Sequence, residues 1–178
     1  MRLFIAVDLD DCLKGKISDL QTRLLEPAAK PVERQNLHFT LKFLGEVPET
    51  AVPKIREALR TVKFQPFEII VRGVGTFPPN EQTINIVWVG CEGPLAELAA
   101  EVERALEPLG FKPGERGFSS HLTVLRVKQR PTFLFERVKE SKNAEMGSQA
   151  IVRFVLKKST LTPQGPVYED IETYKAVQ

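Results

Sequence analysis

The sequence has few cysteines, few histidines and no long hydrophobic run. Two cysteines, Cys12 and Cys91, stand among 178 residues, and they have no Cys-x-x-Cys spacing. We therefore predict reduced thiols rather than a disulfide framework or a structural zinc site. The first ten residues, MRLFIAVDLD, contain too short an apolar run for a signal peptide or a membrane span, so we expect a cytoplasmic protein with no membrane partner.

The sequence also lacks a large excess of positive or negative charge. The chain has 25 Lys and Arg against 23 Asp and Glu, which gives a net charge of +2. This balance argues against a protein that coats nucleic acid with its whole surface, so a nucleic-acid partner requires a local basic patch. Hydrophobic residues make up 42% of the chain, and glycine and proline are scattered, as is typical of one globular domain.

Hydrophobic periodicity predicts a β-α-β-α-β order that occurs twice. The first copy is predicted as strand 3–9, helix 11–25, strand 38–44, helix 48–62 and strand 67–74. The second copy is predicted as strand 84–89, helix 94–109, strand 121–127, a short helix 131–141 and a final long strand 150–157. The fold class is therefore α+β, built from a duplicated unit.

Local similarities between the two copies support an internal duplication. FIAV resembles IVWV, HFTL resembles HLTV, and IIVRGV at 69–74 resembles AIVRFV at 150–155. The offset is 83 positions (121 − 38) for the histidines and 81 (153 − 72) for the arginines within these segments. Chance similarity of buried strands is the alternative. Duplication predicts one bilobal domain over 1–178, with repeats at about 1–78 and 82–162 that form two pseudo-symmetric lobes around a central cleft.

The only two histidines each begin a His-apolar-Thr-apolar motif, at His38 and His121. A lone histidine in a strand is usually structural, but two at matching positions of a repeat favour a functional pair. Strand alternation places Thr40 on the same face as His38, and Thr123 on the same face as His121. The two lobes are thus predicted to bring two imidazoles and two hydroxyls around one phosphorus.

These four groups suit the opening of a cyclic phosphodiester. The reaction requires a base to deprotonate water and an acid to protonate the departing ribose oxygen on the opposite side of phosphorus. Because histidine titrates near neutral pH, one imidazole can be neutral while the other is protonated. The threonine hydroxyls can donate to the nonbridging oxygens.

The segments NLHFTLKFLGEV and FSSHLTVLRVK closely resemble the paired HxTx motifs of the 2H phosphoesterases. The matching branch is the RNA 2′,3′-cyclic phosphodiesterases, also called 2′-5′ RNA ligases. The resemblance extends to the opening MRLFIAV, to FP and VWVG within 77–90, and to the closing STLTPQGPVYEDIETY. It implies a bilobal α+β fold with antiparallel sheets lining a cleft, and hydrolysis of a terminal 2′,3′-cyclic phosphate to a 2′-phosphomonoester.

The resemblance also implies the division of labour, which the internal symmetry cannot assign. His38 matches the proton donor to the 3′ oxygen, and His121 matches the base that activates water. The same geometry in reverse lets a 5′ hydroxyl attack, which implies reversible 2′-5′ RNA ligation without ATP. No Walker motif is present.

Three further residues are predicted to bind substrate. Lys42 shares the His38 face but lies about 13 Å along the strand, where it contacts a neighbouring phosphate or is simply a solvated charge. Arg126 matches a position that is commonly basic in the family, but it is out of phase with His121. Either the strand bulges or ends there, or Arg126 belongs to the surface. Phe118 matches an aromatic that the family places three residues before the histidine, where it packs or stacks on a base.

The segments around the motifs give weaker predictions. The loop KPGERGFSS, 112–120, carries glycine and positive charge and either covers the cleft or is an ordinary solvated loop. Ser120 departs from the proline often found in the family. Tyr168 and Ser159 belong to the tail pattern by resemblance alone, and structural roles are equally open for both.

No metal and no cofactor is predicted, because neither motif has a carboxylate spaced to join its histidine. The expected partner is RNA with a 2′,3′-cyclic phosphate terminus, such as a tRNA fragment, and the expected state is a monomer. Three alternatives stay open: a 2H phosphodiesterase for a small cyclic nucleotide phosphate, a noncatalytic RNA-end-binding module, and a structural histidine pair in an interaction protein.

Overall fold

The computed structural model describes residues 1–80, 83–114 and 117–177. The described residues form nine strands and four α-helices. The strands are β1 (Arg2–Asp8), β2 (Ala29–Pro31), β3 (His38–Glu46), β4 (Phe67–Phe77), β5 (Ile86–Glu92), β6 (His121–Val127), β7 (Glu145–Ile151), β8 (Arg153–Thr162) and β9 (Gly165–Lys175). The helices are α1 (Asp11–Leu24), α2 (Val52–Arg60), α3 (Leu95–Leu106) and α4 (Leu134–Glu140).

Two antiparallel sheets organise the chain and confirm the predicted α+β class. Sheet A has the strand order β3-β1-β8-β9, and sheet B has the order β2-β6-β5-β4-β7. Every strand pair is antiparallel. The two sheets have matching centres, since β1 lies between β3 and β8 while β5 lies between β6 and β4.

Each half of the chain contributes strands to both sheets. β4, from the first half, pairs with β5 and β7 of the second half. β8, from the second half, pairs with β1 of the first half. Each sheet therefore combines both halves, so the lobes do not coincide with the predicted repeats 1–78 and 82–162. Gln82, where the second repeat was predicted to begin, lies outside the described residues.

The helices form where the apolar spacing predicts them. α1 is preceded by Asp10, whose side chain accepts a 2.8 Å hydrogen bond from the Leu13 backbone N–H and so caps the first turn. Its four predicted inward residues are all buried: Leu13, Ile17, Leu20 and Leu24. α1 and α4 contact strands of sheet B, while α3 contacts β3 of sheet A. In the described part of the chain, every helix is too short or too polar to cross a lipid bilayer.

The predicted strand 150–157 is wrong as a single element. β7 ends at Ile151 in sheet B, and β8 begins at Arg153 in sheet A. Val152, half exposed, carries the chain from one sheet to the other. The pattern could not show this crossing, because 150–157 is rich in β-branched and aromatic residues and no glycine or proline interrupts it.

Candidate active site

Both predicted motifs begin a strand, and the two strands have the same register. His38 is the first residue of β3 and His121 is the first residue of β6. The cross-strand pairs correspond: His38 with Asp8 and Thr40 with Ala6 in sheet A, His121 with Gly90 and Thr123 with Trp88 in sheet B. The predicted likeness of FIAV and IVWV is thus the likeness of two central strands that pair with the motifs.

A register shift follows the threonine in each motif. In sheet A it falls between Ile5 and Ala6, opposite Leu41, and in sheet B between Val87 and Trp88, opposite Val124. An extra residue on one strand changes the alternation beyond it. Arg126 therefore lies on the same side as Thr123 and lines the cleft. Of the two predicted alternatives for this residue, the bulge is the one observed.

A single cavity of about 1120 Å³ brings the predicted site residues together. Its lining includes both motif histidines and both motif threonines, together with Lys42, Phe118 and Arg126. Tyr168 from the tail segment also lines it, whereas Ser159, its cross-strand neighbour on β8, does not. The cleft thus takes residues from both sheets.

Each histidine ring is oriented by a backbone carbonyl two residues earlier. His38 Nδ1 lies 2.8 Å from the Asn36 carbonyl oxygen, and His121 Nδ1 lies 3.1 Å from the Ser119 carbonyl oxygen. A carbonyl only accepts, so Nδ1 carries the hydrogen in both rings. Nε2 is then the nitrogen of each imidazole that exchanges a proton with a substrate.

His38 is held in a tight, largely apolar environment. Its Nε2 lies 3.1 Å from the Thr40 hydroxyl oxygen, and its ring contacts Phe4 and Tyr168 with centroid distances of 5.0 and 5.3 Å. Burial lowers the pKa of His38 to about 4, against the opposing effects of the Asn36 carbonyl and the Asp8 carboxylate. The imidazole is therefore neutral at pH 7 in the free protein.

His121 has different neighbours from His38 despite the matching register. Phe77 makes an edge contact with the His121 ring at 5.3 Å, and Trp88 packs against Phe77 at 5.4 Å. Trp88 in turn lies over Gly75, where a Cβ atom would come within 2.3 Å of the indole. Glycine at that position is what lets the aromatic pair support His121. The counterpart of Asp8 on this side is Gly90, so the two imidazoles differ in nearby charge.

Lys42 is buried rather than a solvated charge, and its predicted place on the His38 face is wrong, because the register shift opposite Leu41 gives that face to Phe43. Its ammonium group donates to Glu103 Oε1 on α3 at 3.1 Å and to the Lys112 carbonyl oxygen at 2.9 Å. The side chain is 6% exposed. Lys42 therefore joins the first motif strand to α3 and to the start of the loop that precedes the second motif.

The loop before His121 is described only in part. Glu115 and Arg116, which carry part of its predicted charge, lie outside the described residues. Gly114 and Gly117 line the cavity. Phe118 is partly buried and packs against the hydrophobic core, which fits the packing alternative for this aromatic.

Several cleft residues were missed by the sequence reasoning. Asn36, Phe43 and Phe77 line the cavity, and Asp8 lies opposite His38. Asn36 had a usable signal, because it stands two residues before His38 as Ser119 does before His121. Asp8 and Phe43 depend on strand register and on the bulge, which periodicity does not give.

No group of three or more His, Cys, Asp and Glu side chains is arranged to hold a metal ion, as far as residues 1–80, 83–114 and 117–177 are concerned. The predicted absence of a metal stays a prediction that activity in chelator can test.

Comparison with known proteins places the chain in a family. The family described as LigT like Phosphoesterase matches twice, over residues 7–88 and 89–168. An RNA 2′,3′-cyclic phosphodiesterase of Archaeoglobus fulgidus is 42% identical over 178 residues, covering 98% of this chain and all of the relative. The protein of the same name from Methanothermobacter thermautotrophicus is also 42% identical, over 98% of each chain.

Solved structures of other proteins have a similar fold over nearly the whole chain. A Thermus thermophilus protein superposes with a TM-score of 0.86 at 30% identity, covering 98% of this chain and 97% of the other. Escherichia coli LigT in complex with 3′-AMP superposes with a TM-score of 0.83 at 25% identity, covering 99% and 98%. The prediction of a phosphodiesterase enzyme of the 2H type is confirmed. With two HxTx strands on one cleft and a family match over both halves, the chain belongs to the LigT-like phosphoesterase family.

Proposed function

We propose that the protein hydrolyses the terminal 2′,3′-cyclic phosphate of RNA to a 2′-phosphomonoester, with His38 and His121 as acid and base and with no metal. The observation that carries the proposal is the pair of imidazoles on one cavity, each with Nδ1 held by a carbonyl, so that Nε2 is the nitrogen on the motif side; His38 Nε2 contacts the Thr40 hydroxyl of its own motif. The curated relatives at 42% identity bear the matching name.

The reaction requires removal of a proton from the attacking water and donation of a proton to the departing O3′. His121 Nε2 accepts the proton of the attacking water as its oxygen bonds to phosphorus, the P–O3′ bond breaks, and His38 Nε2–H donates to O3′. The P–O2′ bond persists, which leaves a 2′-phosphomonoester. The Thr40 and Thr123 hydroxyls donate to the nonbridging oxygens, where charge builds up, and Arg126 adds a positive charge at the same cleft.

The proposed acid has a low pKa in the free protein, so the substrate must help to protonate it. A phosphodiester anion bound beside His38 favours the imidazolium form by Coulomb attraction and offsets the effect of burial. Substrate binding near pH 7 is then accompanied by uptake of a proton at His38. His121, without a carboxylate across the strand, is assigned as the base.

The test is the product formed from a short RNA that ends in a 2′,3′-cyclic phosphate. The purified protein is incubated with this RNA in excess chelator, and the product is separated from synthetic 2′-phosphate and 3′-phosphate standards. We expect the 2′-phosphate alone. A 3′-phosphate, or loss of activity in chelator that returns with a divalent cation, would reject the mechanism. No turnover with intact binding would favour a noncatalytic RNA-end-binding module.

A second candidate is hydrolysis of a small cyclic nucleotide phosphate. It is favoured by the Escherichia coli LigT structure with bound 3′-AMP, since that homologue accommodates a mononucleotide. The ratio of kcat/KM values for a cyclic-phosphate oligonucleotide and for a 2′,3′-cyclic mononucleotide separates the two. A ratio well above one supports RNA, and a ratio at or below one supports the small substrate.

The same site supports reversible 2′-5′ RNA ligation without ATP. A 5′ hydroxyl replaces water, His121 takes its proton, the P–O5′ bond forms, and His38 protonates the departing O3′. The test supplies one RNA with a 5′ hydroxyl and another with a 2′,3′-cyclic phosphate and looks for a 2′-5′ linked product. The cytoplasmic location, the monomeric state and tRNA fragments as natural substrates stay predictions.

A further inference from the structure

We propose that a row of basic side chains, Arg126, Lys128 and Lys30, forms a track that binds the RNA backbone upstream of the reacting phosphate. This inference rests on the proposed function, because it specifies that the substrate is a strand several nucleotides long. It extends the binding surface from Arg126, which lines the cavity with the histidines and threonines, to Lys30 and Lys128, which do not line it.

The geometry of β6 and β2 places the three side chains on one face of the sheet, with Lys30 beside Arg126 on the neighbouring strand and Lys128 farther along the chain from Arg126. Arg126 lines the active-site cavity near the end of β6. Lys30 on β2 is directly opposite Arg126, so the two side chains leave the same face of the sheet. Lys128 continues the ladder by donating its backbone N–H to the Ala28 carbonyl at 2.8 Å. Alternation puts Lys128 on the Arg126 face, about 7 Å farther from the catalytic motif.

The row is positively charged and lacks acidic partners. All three side chains are exposed. Among the described residues, none of them lies within ion-pair distance of a carboxylate, whereas Arg72 of sheet B and Lys157 and Lys158 of sheet A each have an acidic partner. Lys30 donates instead to the neutral carbonyl of Gln164 at 3.0 Å, in the turn between β8 and β9. This bond fixes the ammonium and leaves it two further donors.

Two like charges directly opposite each other on paired strands are destabilising. An unneutralised Lys30–Arg126 pair is therefore a cost to the free protein that a bound anion removes. Arg126 also lines the same cavity as His38 and Tyr168, which belong to the other sheet. The positive row thus starts beside the reacting phosphate and continues away from it along the strand.

A nucleic-acid strand fits this row better than an isolated phosphate does. A single-stranded RNA presents one negative charge per nucleotide, and it must leave the cavity from the terminal ribose in one direction. Because the net charge of the chain is only +2, binding of a polyanion requires a local group of basic side chains such as this one.

The test measures binding independently of turnover. A fluorescently labelled ten-nucleotide RNA ending in a 3′-phosphate is titrated with the wild type, Lys30→Gln, Lys128→Gln and the double variant at several KCl concentrations. Each phosphate contact to a single strand contributes about 0.7 to the slope of log affinity against log salt. We expect three- to tenfold weaker binding for each single variant, and a slope that falls by about 1.4 in the double variant.

A matched control is Lys54→Gln, which removes an exposed lysine from α2, a helix that contributes nothing to the cavity lining. Unchanged affinity and slope in the double variant, or equal losses in Lys54→Gln, would overturn the track. Thermal unfolding of each variant verifies that the fold is intact.

A second readout separates this inference from the proposed function. The kcat/KM ratio of cyclic-phosphate oligonucleotide to cyclic mononucleotide should fall at least fivefold in the double variant. If the wild type opens neither substrate, the proposed function fails while the binding result still decides the track. If it opens both and the ratio does not change, the track fails while the proposed function stands.

Discussion

At the scale of single residues, the cleft depends on two imidazoles that are alike in register and unlike in surroundings. Each ring is fixed by a carbonyl two residues earlier, but only His38 has a carboxylate across the strand and burial between two aromatic rings. Internal duplication therefore supplied two similar side chains, and their neighbours made them chemically different.

Replacing either histidine should remove most of the activity. General acid or base catalysis contributes about 10²- to 10⁴-fold, so we expect His38→Ala and His121→Ala each to lower kcat on a cyclic-phosphate RNA by that factor. Because the two groups serve one step, the double variant should lose much less than the product of the single losses. Near-full activity in either single variant, with circular dichroism showing an intact fold, would contradict the two-histidine account.

Burial of His38 should make stability depend on pH in a defined window. Its pKa is lowered from 6.5 to about 4, so the unfolded chain binds more protons between these values. The free energy of unfolding should fall as the pH drops from 6.5 toward 4, by at most about 3 kcal/mol from this group, and it should not depend on this group above pH 7.

Urea unfolding at intervals between pH 7 and 4 measures the effect. Carboxylates titrate in the same range, so the informative quantity is the difference between the wild type and His38→Gln, which should be less sensitive to acid. Identical pH dependence of the two proteins would show that His38 is not buried as described.

The sequence predicted which side chains meet in the cleft better than it predicted what surrounds them. The two HxTx motifs, their shared face and their meeting on one cleft follow from strand alternation and from the repeat, and both can be read from the spacing of residues. The placement of Arg126 required the bulge after Thr123, and the contact of Asp8 with the His38 position required the pairing of β1 with β3. Register is a tertiary property, so neither could be read from spacing.

At the scale of elements, Lys42 connects β3, α3 and the loop before β6. Its bonds to Glu103 and to the Lys112 carbonyl leave one ammonium donor uncommitted. Lys42 was predicted to bind a phosphate, and its two hydrogen bonds also fit a structural role in which it holds α3 and the loop against β3. The two roles differ in what happens when Glu103 loses its charge.

Glu103→Gln should distinguish these roles. If Lys42 has a structural role, it holds α3 and the loop against β3, and Glu103→Gln weakens that ion pair. The variant should then have a higher KM and faster hydrogen exchange in 112–114, as Lys42→Met should. If Lys42 binds a phosphate, freeing its charge should lower KM in Glu103→Gln, whereas Lys42→Met raises it. We expect the first result with a KM increase of about three- to tenfold, since a partly buried charged bond contributes about 1 kcal/mol or more. Glu101→Gln, on the same helix but paired with Arg104, is the control.

The observed boundaries of the helices and strands show which of them hydrophobic periodicity can predict. The strand 121–127 was predicted with its observed bounds, and both long helices were predicted within a few residues of their ends. The short β2 and the final β9 were missed. β2 has three residues and contains a proline, so it exists only because β6 pairs with it. β9 carries charged residues on a strand at the edge of sheet A, which obscures its alternation.

At the scale of the whole molecule, the two halves are interdependent because each contributes strands to both sheets. β4 has both of its neighbours in the second half, and β1 pairs with β8 across the same division. The helices also pack across the division between the halves. α1 of the first half contacts β6 and β7 of the second half, and α3 of the second half contacts β3 of the first half. A half on its own would expose unpaired strand edges and the apolar faces that the other half covers.

We therefore expect residues 1–82 and 83–178, made as separate fragments, to be unfolded alone and to assemble when mixed. Circular dichroism should show little regular structure in either fragment, and the mixture should recover the spectrum and part of the activity on a cyclic-phosphate RNA. Fragments carrying His38→Ala and His121→Ala should assemble without recovering activity, because both sheets would be complete while the proposed acid and base are missing. A fragment that folds cooperatively as a monomer would mean that the halves are autonomous, and the pairing of β4 with β5 and β7 would then be dispensable for folding.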